Sequence, residues 1–137
     1  MTTWFADTAY YLALINQADD AHEPTNAHTR DFTGRIVTTT SVLNEIGNHL
    51  SHPSNRRLFG QMLDRVIGDP DVRLVYVERK MFDEAVEPYR KRPDQSWSLT
   101  DCASFLVRKE LGLTEALTTD NHFSQAGFRA LLRPGAS

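Results

Sequence analysis

The chain has 137 residues, 40% of them hydrophobic, with 15 Lys and Arg against 18 Asp and Glu, a net charge of -3, and one cysteine. That length fits one domain with a real core, and the single Cys102 excludes an internal disulfide and any cysteine-based zinc site. The acidic balance excludes a general attraction to phosphate backbones, so a nucleic-acid contact needs a local basic cluster.

The N-terminal MTTWFADTAYYLALI lacks the basic start of a secretory signal and carries Asp7 inside its apolar stretch. No apolar run is long enough to span a bilayer. The expected location is the cytoplasm, with no membrane partner. Basic clusters occur at Arg56/Arg57, Arg79/Lys80 and Arg90, Lys91, Arg92. Each also reads as an ordinary solvated helix face.

In chain order, TTWFA predicts a strand, interrupted by Asp7 and Thr8 before the helical AYYLALINQ. The polar DDAHEPTNAHTRDF reads as helical, with Pro24 tolerated near its start, and Gly34 breaks it. RIVTTT is a second strand. SVLNEIGNHL follows with Val42, Leu43, Ile46 and Leu50 at helical spacing, Glu45 in its second turn, and Ser41 or Thr40 as cap. NRRLFGQMLDRVI is amphipathic through Leu58, Met62, Leu63 and Val66.

GDPDVRLVYV gives a turn and a third strand, and ERKMFDEAVEPYRKR gives a helix expected to end near Pro88. RPDQSWS is a loop. The next helix opens with SLTD, runs to about Leu111 and stops at Gly112, with Cys102 on its buried side near Ala103, Phe105 and Leu106. TEALTT is a strand, DNHFSQAG a short helix and FRALL a last strand. Strands alternating with helices predict an α/β fold, a three-layer α/β/α sandwich with a mostly parallel central sheet. Residues 1–133 form the expected single domain, and 134–137 a disordered tail.

The acids fall in a pattern. Asp7 follows the first strand, Asp120 follows ALTT, and Asp101 and Glu45 lie in the opening turns of their helices. Ligands bind open α/β sheets outside the carboxyl ends of the strands. Each aspartate has a structural alternative: Asp7 and Asp120 can cap the helices after them, and Ser98 with Asp101 matches a capping box. Glu45 lies too far along its helix for a box, and its alternative is an exposed glutamate.

Convergence changes the balance. Two like charges about 4 Å apart repel by roughly 4 kcal/mol at an effective dielectric of about 20, while a cap contributes only about 1 kcal/mol. A divalent cation turns that repulsion into coordination, and an oxygen-only donor set points to Mg2+ or Mn2+. Such a site suits phosphodiester hydrolysis. Thr8 and Ser98 hydroxyls can hold a water or orient a ligand carboxylate, and Asn121 and His122 can touch substrate phosphate. His22, His28, His49 and His52 form no spacing that defines a site.

Asp7-Thr8 after the first strand, Ser41 with Glu45, WSLTDCASF around Asp101 and EALTTDNHFSQAGF around Asp120 resemble the PIN-domain ribonucleases, particularly VapC-like toxins. The match covers essentially the whole chain. It implies a Mg2+- or Mn2+-dependent endoribonuclease, an antitoxin whose C-terminal segment occupies the active-site groove, and a homodimer. By position it implies Asp7, Asp101 and Asp120 as metal ligands, with Glu45 binding metal directly or through water. A further acid shortly after the last aspartate is common in the family, and here Asn121 and His122 stand in those places. Asp94, before Trp97, is left unassigned.

Two other readings compete. One is a non-catalytic PIN-like module that binds RNA or protein, suggested by Asn121, His122 and the net charge. The other is a phosphoryl-accepting regulatory domain, disfavoured because no acid ends RLVYV and no suitably placed lysine follows a late strand.

Overall fold

The computed structural model describes residues 2–15, 23, 25, 34–113, 115–117 and 129–130. Strands β1 (Thr3–Ala6), β2 (Arg35–Thr39), β3 (Val72–Val75), β4 (Glu115–Leu117) and β5 (Arg129–Ala130) form one sheet in the order β3-β2-β1-β4-β5. Every pairing in it is parallel. The described helices are α1 (Thr8–Ile15), α2 (Thr40–His49), α3 (Arg56–Gly68), α4 (Arg79–Lys91) and α5 (Leu99–Leu111).

Neighbouring strand residues point to opposite faces, so burial of both means cover on both sides. Phe5 and Ala6 are each 0% exposed, and Val37 and Thr38 are 3% and 0%. Helices therefore sandwich the sheet, as the alternation of elements predicts. The main core joins Phe5 and Val37 of the sheet to Tyr10, Val42, Ile46, Met62, Val66 and Val107 from four helices. Full burial of a side chain such as Phe5 or Ile46 contributes about 1.5–3 kcal/mol. A smaller cluster of Ala85, Cys102 and Ala103, backed by Val77, Trp97 and Leu106, lies between α4 and α5.

Cys102 is a core residue, as its neighbours suggest, and burial first and Asp101 second push its thiol pKa up to about 11. Leu58, expected in the apolar stripe of α3, instead stays 36% exposed at the first turn, while Met62 and Val66 reach the core. The helix expected to stop at Pro88 runs on to Lys91. Proline removes one N–H, but Arg92 N donates to the Pro88 carbonyl at 3.1 Å, and Lys91 pairs with Glu87 at 2.6 Å across one turn. The last turn therefore closes around the proline.

α5 stops as its sequence dictates. Gly112 adopts φ 67°, and Leu113 N returns to the Arg108 carbonyl at 2.8 Å while Gly112 N returns to Lys109 at 3.3 Å. Of the segment expected to be helical over 19–32, only Glu23 and Thr25 are described, both helical, with Thr25 buried. The DNHFSQAG helix and the tail 134–137 lie outside the described residues.

Candidate active site at the carboxyl edge of the sheet

The strand order reverses direction at β1: the chain moves outward through β2 and β3, then returns to place β4 on the other side. This switch point is where a crevice opens beyond the strand ends in open α/β sheets. Asp7 is the first residue after β1 and is 6% exposed. Register pairs Ala6 with Leu117, so the carboxyl ends of β1 and β4 lie side by side.

Asp7 caps α1. Its Oδ1 accepts from Tyr10 N at 3.1 Å, which realises the structural alternative for this residue. Its neighbour Thr8 donates to Glu45 Oε1 at 2.5 Å across 37 positions of sequence. The glutamate of α2 therefore meets the first residue of α1 rather than projecting as a free surface carboxylate.

Three consecutive threonines bring α2 to that place. Thr38 Oγ1 donates to the Ala6 carbonyl at 2.8 Å, tying β2 to the end of β1. Thr39, and not Thr40 or Ser41, is the cap of α2, its Oγ1 accepting from Val42 N at 3.2 Å. The last strand residue is itself the cap, so α2 starts at Thr40, earlier than the sequence suggests. Thr40 Oγ1 accepts from Val77 N at 2.9 Å and fastens the exit of β3.

At the head of α5 the capping box is complete. Asp101 N donates to Ser98 Oγ at 3.0 Å, and Ser98 N donates to Asp101 Oδ2 at 3.0 Å. Because α5 reaches β4 within a few residues of Gly112, its C-terminus lies by the amino edge of the sheet. Its thirteen residues, Leu99–Leu111, span about 20 Å and carry Asp101 back towards the carboxyl edge.

Arg108, absent from the sequence reading, shares one face of α5 with Asp101 and Ser104 at spacings of three and seven. It is 0% exposed, and its Nη2 donates to the Leu113 carbonyl at 3.4 Å. Burial pushes its pKa down to about 9, and the negative charge of Asp7 pulls the other way. The guanidinium is still a cation at neutral pH, so the buried acid has a buried counter-charge.

Asp94 is engaged elsewhere: Arg92 donates to both its oxygens at 3.0 Å, which holds its pKa below the usual carboxylate range. Arg92 also stacks over Trp97 at 5.2 Å, and both line an open groove of about 780 Å³ between α4 and α5. Asp120, Asn121 and His122 lie outside the described residues. Among the described residues, no three His, Cys, Asp or Glu side chains gather as a metal cluster. The structure thus joins Thr8, the residue after Asp7, to Glu45 and pins Asp101 separately.

The parallel five-stranded sheet, with helices on both faces and a buried acid at its switch point, is an α/β/α sandwich with a PIN-like fold. In fold and sequence the chain is similar to a VapC toxin. It is 26% identical over 124 residues to the 23S rRNA-specific endonuclease VapC20 of Mycobacterium tuberculosis, an alignment covering 90% of this chain and 94% of that protein. The same match is found in a second strain of that organism. The crystal structure of M. tuberculosis VapC20, a sarcin-ricin loop cleaving toxin, superposes with a TM-score of 0.83 at 24% identity, covering 93% of this chain and 96% of that one. No protein-family model matches the chain. Among the described residues no helix is long and apolar enough to cross a membrane.

Proposed function

We propose that this protein is an endoribonuclease that hydrolyses RNA phosphodiester bonds with Mg2+ or Mn2+, and is the toxin of a toxin-antitoxin pair. The observation that carries the reading is the buried Asp7 at the switch point beside the Thr8 to Glu45 bond, in a chain similar to VapC20, a 23S rRNA-specific endonuclease. The donors fit a hard divalent cation, being carboxylates without thiol or imidazole. Asp7, Asp101 and Asp120 would hold it, with Glu45 binding it directly or through water.

When bound, such an ion supplies polarisation of the phosphoryl group and lowers the pKa of a water. The chain's own residues do the rest. Thr8 fixes the rotamer of Glu45 so that its carboxylate can orient a water. The capping box fixes Asp101, and the Asp7 carboxylate is oriented by the amide of Tyr10. Arg108 offsets the cost of keeping Asp7 ionised under the sheet edge. Asn121 and His122 would contact substrate phosphate, and Ser98 would act only through Asp101.

The remaining partners follow the same reading: a cognate antitoxin whose C-terminal segment fills the groove, a second copy forming a homodimer, and a cytoplasmic location. The test is cleavage of a structured ribosomal RNA fragment by purified protein with Mg2+ or Mn2+, beside Asp7→Asn. Loss of cleavage in the variant is expected. Equal cleavage by both would remove the proposal, and absence of cleavage with retained RNA binding would favour a non-catalytic module.

A further inference from the structure

The exit of β3 carries an aromatic residue that the cleavage chemistry does not use. β2 pairs with β3 so that Thr39 faces Val75, and β1 pairs with β2 so that Phe5 faces Val37. Val75, Thr39 and Ala6 end the three neighbouring parallel strands, so Tyr76 leaves the sheet at the same carboxyl edge as Thr40 and Thr8. At this edge β3 and β1 lie two strand spacings, about 10 Å, apart, and Thr8, the residue that holds Glu45, opens the helix that leaves β1.

The backbone there is fixed, since Val77 N is bonded to Thr40 Oγ1 at 2.9 Å. Tyr76 is nonetheless 65% exposed, the most exposed of the large hydrophobic residues described. Arg79 and Lys80 begin α4 just beyond it, with side chains 96% and 92% exposed. Each faces an acid one turn on, Asp83 at 4.0 Å and Glu84 at 3.9 Å, at the outer limit of ion pairing and in water. Such pairs contribute little and exchange readily for a phosphate.

We infer that Tyr76 is a stacking platform for an unpaired RNA base beside the scissile position, with Arg79 and Lys80 reaching the adjoining phosphates. It rests on reading this edge as the place where RNA lies, and it names the side chain that receives a neighbouring nucleotide. Folded RNA is recognised largely through loop bases splayed onto aromatic side chains, and stacking tolerates any base. Glu78, Asp83 and Glu84 offset the two cations, so affinity here comes more from the ring than from charge. A fixed backbone presenting an exposed ring suits that role, because no ordering of the loop opposes binding.

The test uses Asp7→Asn protein without divalent ions, titrated with a short single-stranded oligoribonucleotide carrying 2-aminopurine, whose fluorescence is quenched by stacking. Tyr76→Ala is expected to weaken binding roughly ten-fold and to remove the quench, with Tyr76→Phe retaining both. Arg79→Ala is expected to weaken binding less and leave the quench. Unchanged affinity and quench in Tyr76→Ala overturns the inference. A change in sedimentation of Tyr76→Ala with the quench intact also overturns it, by making Tyr76 a contact between protein copies. If protein with Asp7 intact cleaves no RNA but the quench depends on Tyr76, the cleavage proposal fails and the stacking platform stands.

Discussion

Two helices start near the carboxyl edge with an aspartate in a capping role, and the two are anchored differently. Asp101 of α5 exchanges hydrogen bonds with Ser98, three residues away, and is half-buried. Asp7 caps α1 through Tyr10 but is almost fully buried, next to the Thr8 to Glu45 link and within the field of Arg108. Both are held within their own helix turn, and Asp7 is in addition buried and coupled to the charge of Arg108 from α5. Capping and site-building are therefore not alternatives, since a cap fixes a carboxylate where a ligand can meet it.

The largest expected effects are on cleavage. If both acids hold the cation, Asp7→Asn and Asp101→Asn each lower the rate by at least about a hundred-fold, the upper end of what even outer partners of a metal contribute. A variant of Asp101 that cleaves at the wild-type rate in a gel assay would leave the capping box as the whole role of that residue. The comparison then separates on stability. Asp7→Ala removes a cap and strips Arg108 of its counter-charge, so denaturant melts should show a loss of about 3 kcal/mol. Asp101→Asn retains an oxygen for the Ser98 amide and should melt within about 0.5 kcal/mol of the parent in metal-free buffer. Thr8→Val lies between, leaving Glu45 without its donor at a cost of about 1.5 kcal/mol.

The same contrast explains what could be read from the residues alone. Local features were legible: the capping box of SLTD, the stop at Gly112, the apolar stripe of α2 and the strand ends that place Asp7. Each is set within one helical turn or by the period of two in a strand. Arg108 was not, because a basic residue in the last turn of a helix is already accounted for by the helix dipole, and its neighbour Lys109 is indeed exposed. Its alignment with Asp101 and Ser104 was the available signal. The Thr8 to Glu45 bond spans 37 positions and depends on β2 lying beside β1, which helical spacing does not specify. Pro88 misled in the opposite sense, since the last turn closes around it through the Arg92 amide and the Lys91 to Glu87 pair.

The smallest effect sharpens the comparison most. Ser98→Ala deletes one acceptor, the oxygen that satisfies Asp101 N, and leaves Ser98 N able to bind Asp101 Oδ2. A loss of about 1 kcal/mol in thermal or denaturant unfolding is expected for a cap of this kind. If Asp101 serves the helix alone, activity should survive, because the folded state changes only in stability. If Asp101 is positioned for the cation, removing its partner loosens the carboxylate, and the divalent-ion affinity measured by calorimetry should fall by about ten-fold. A stability loss with unchanged ion affinity would show that the box orients only the helix start, and a loss in both would tie the cap of α5 to the site.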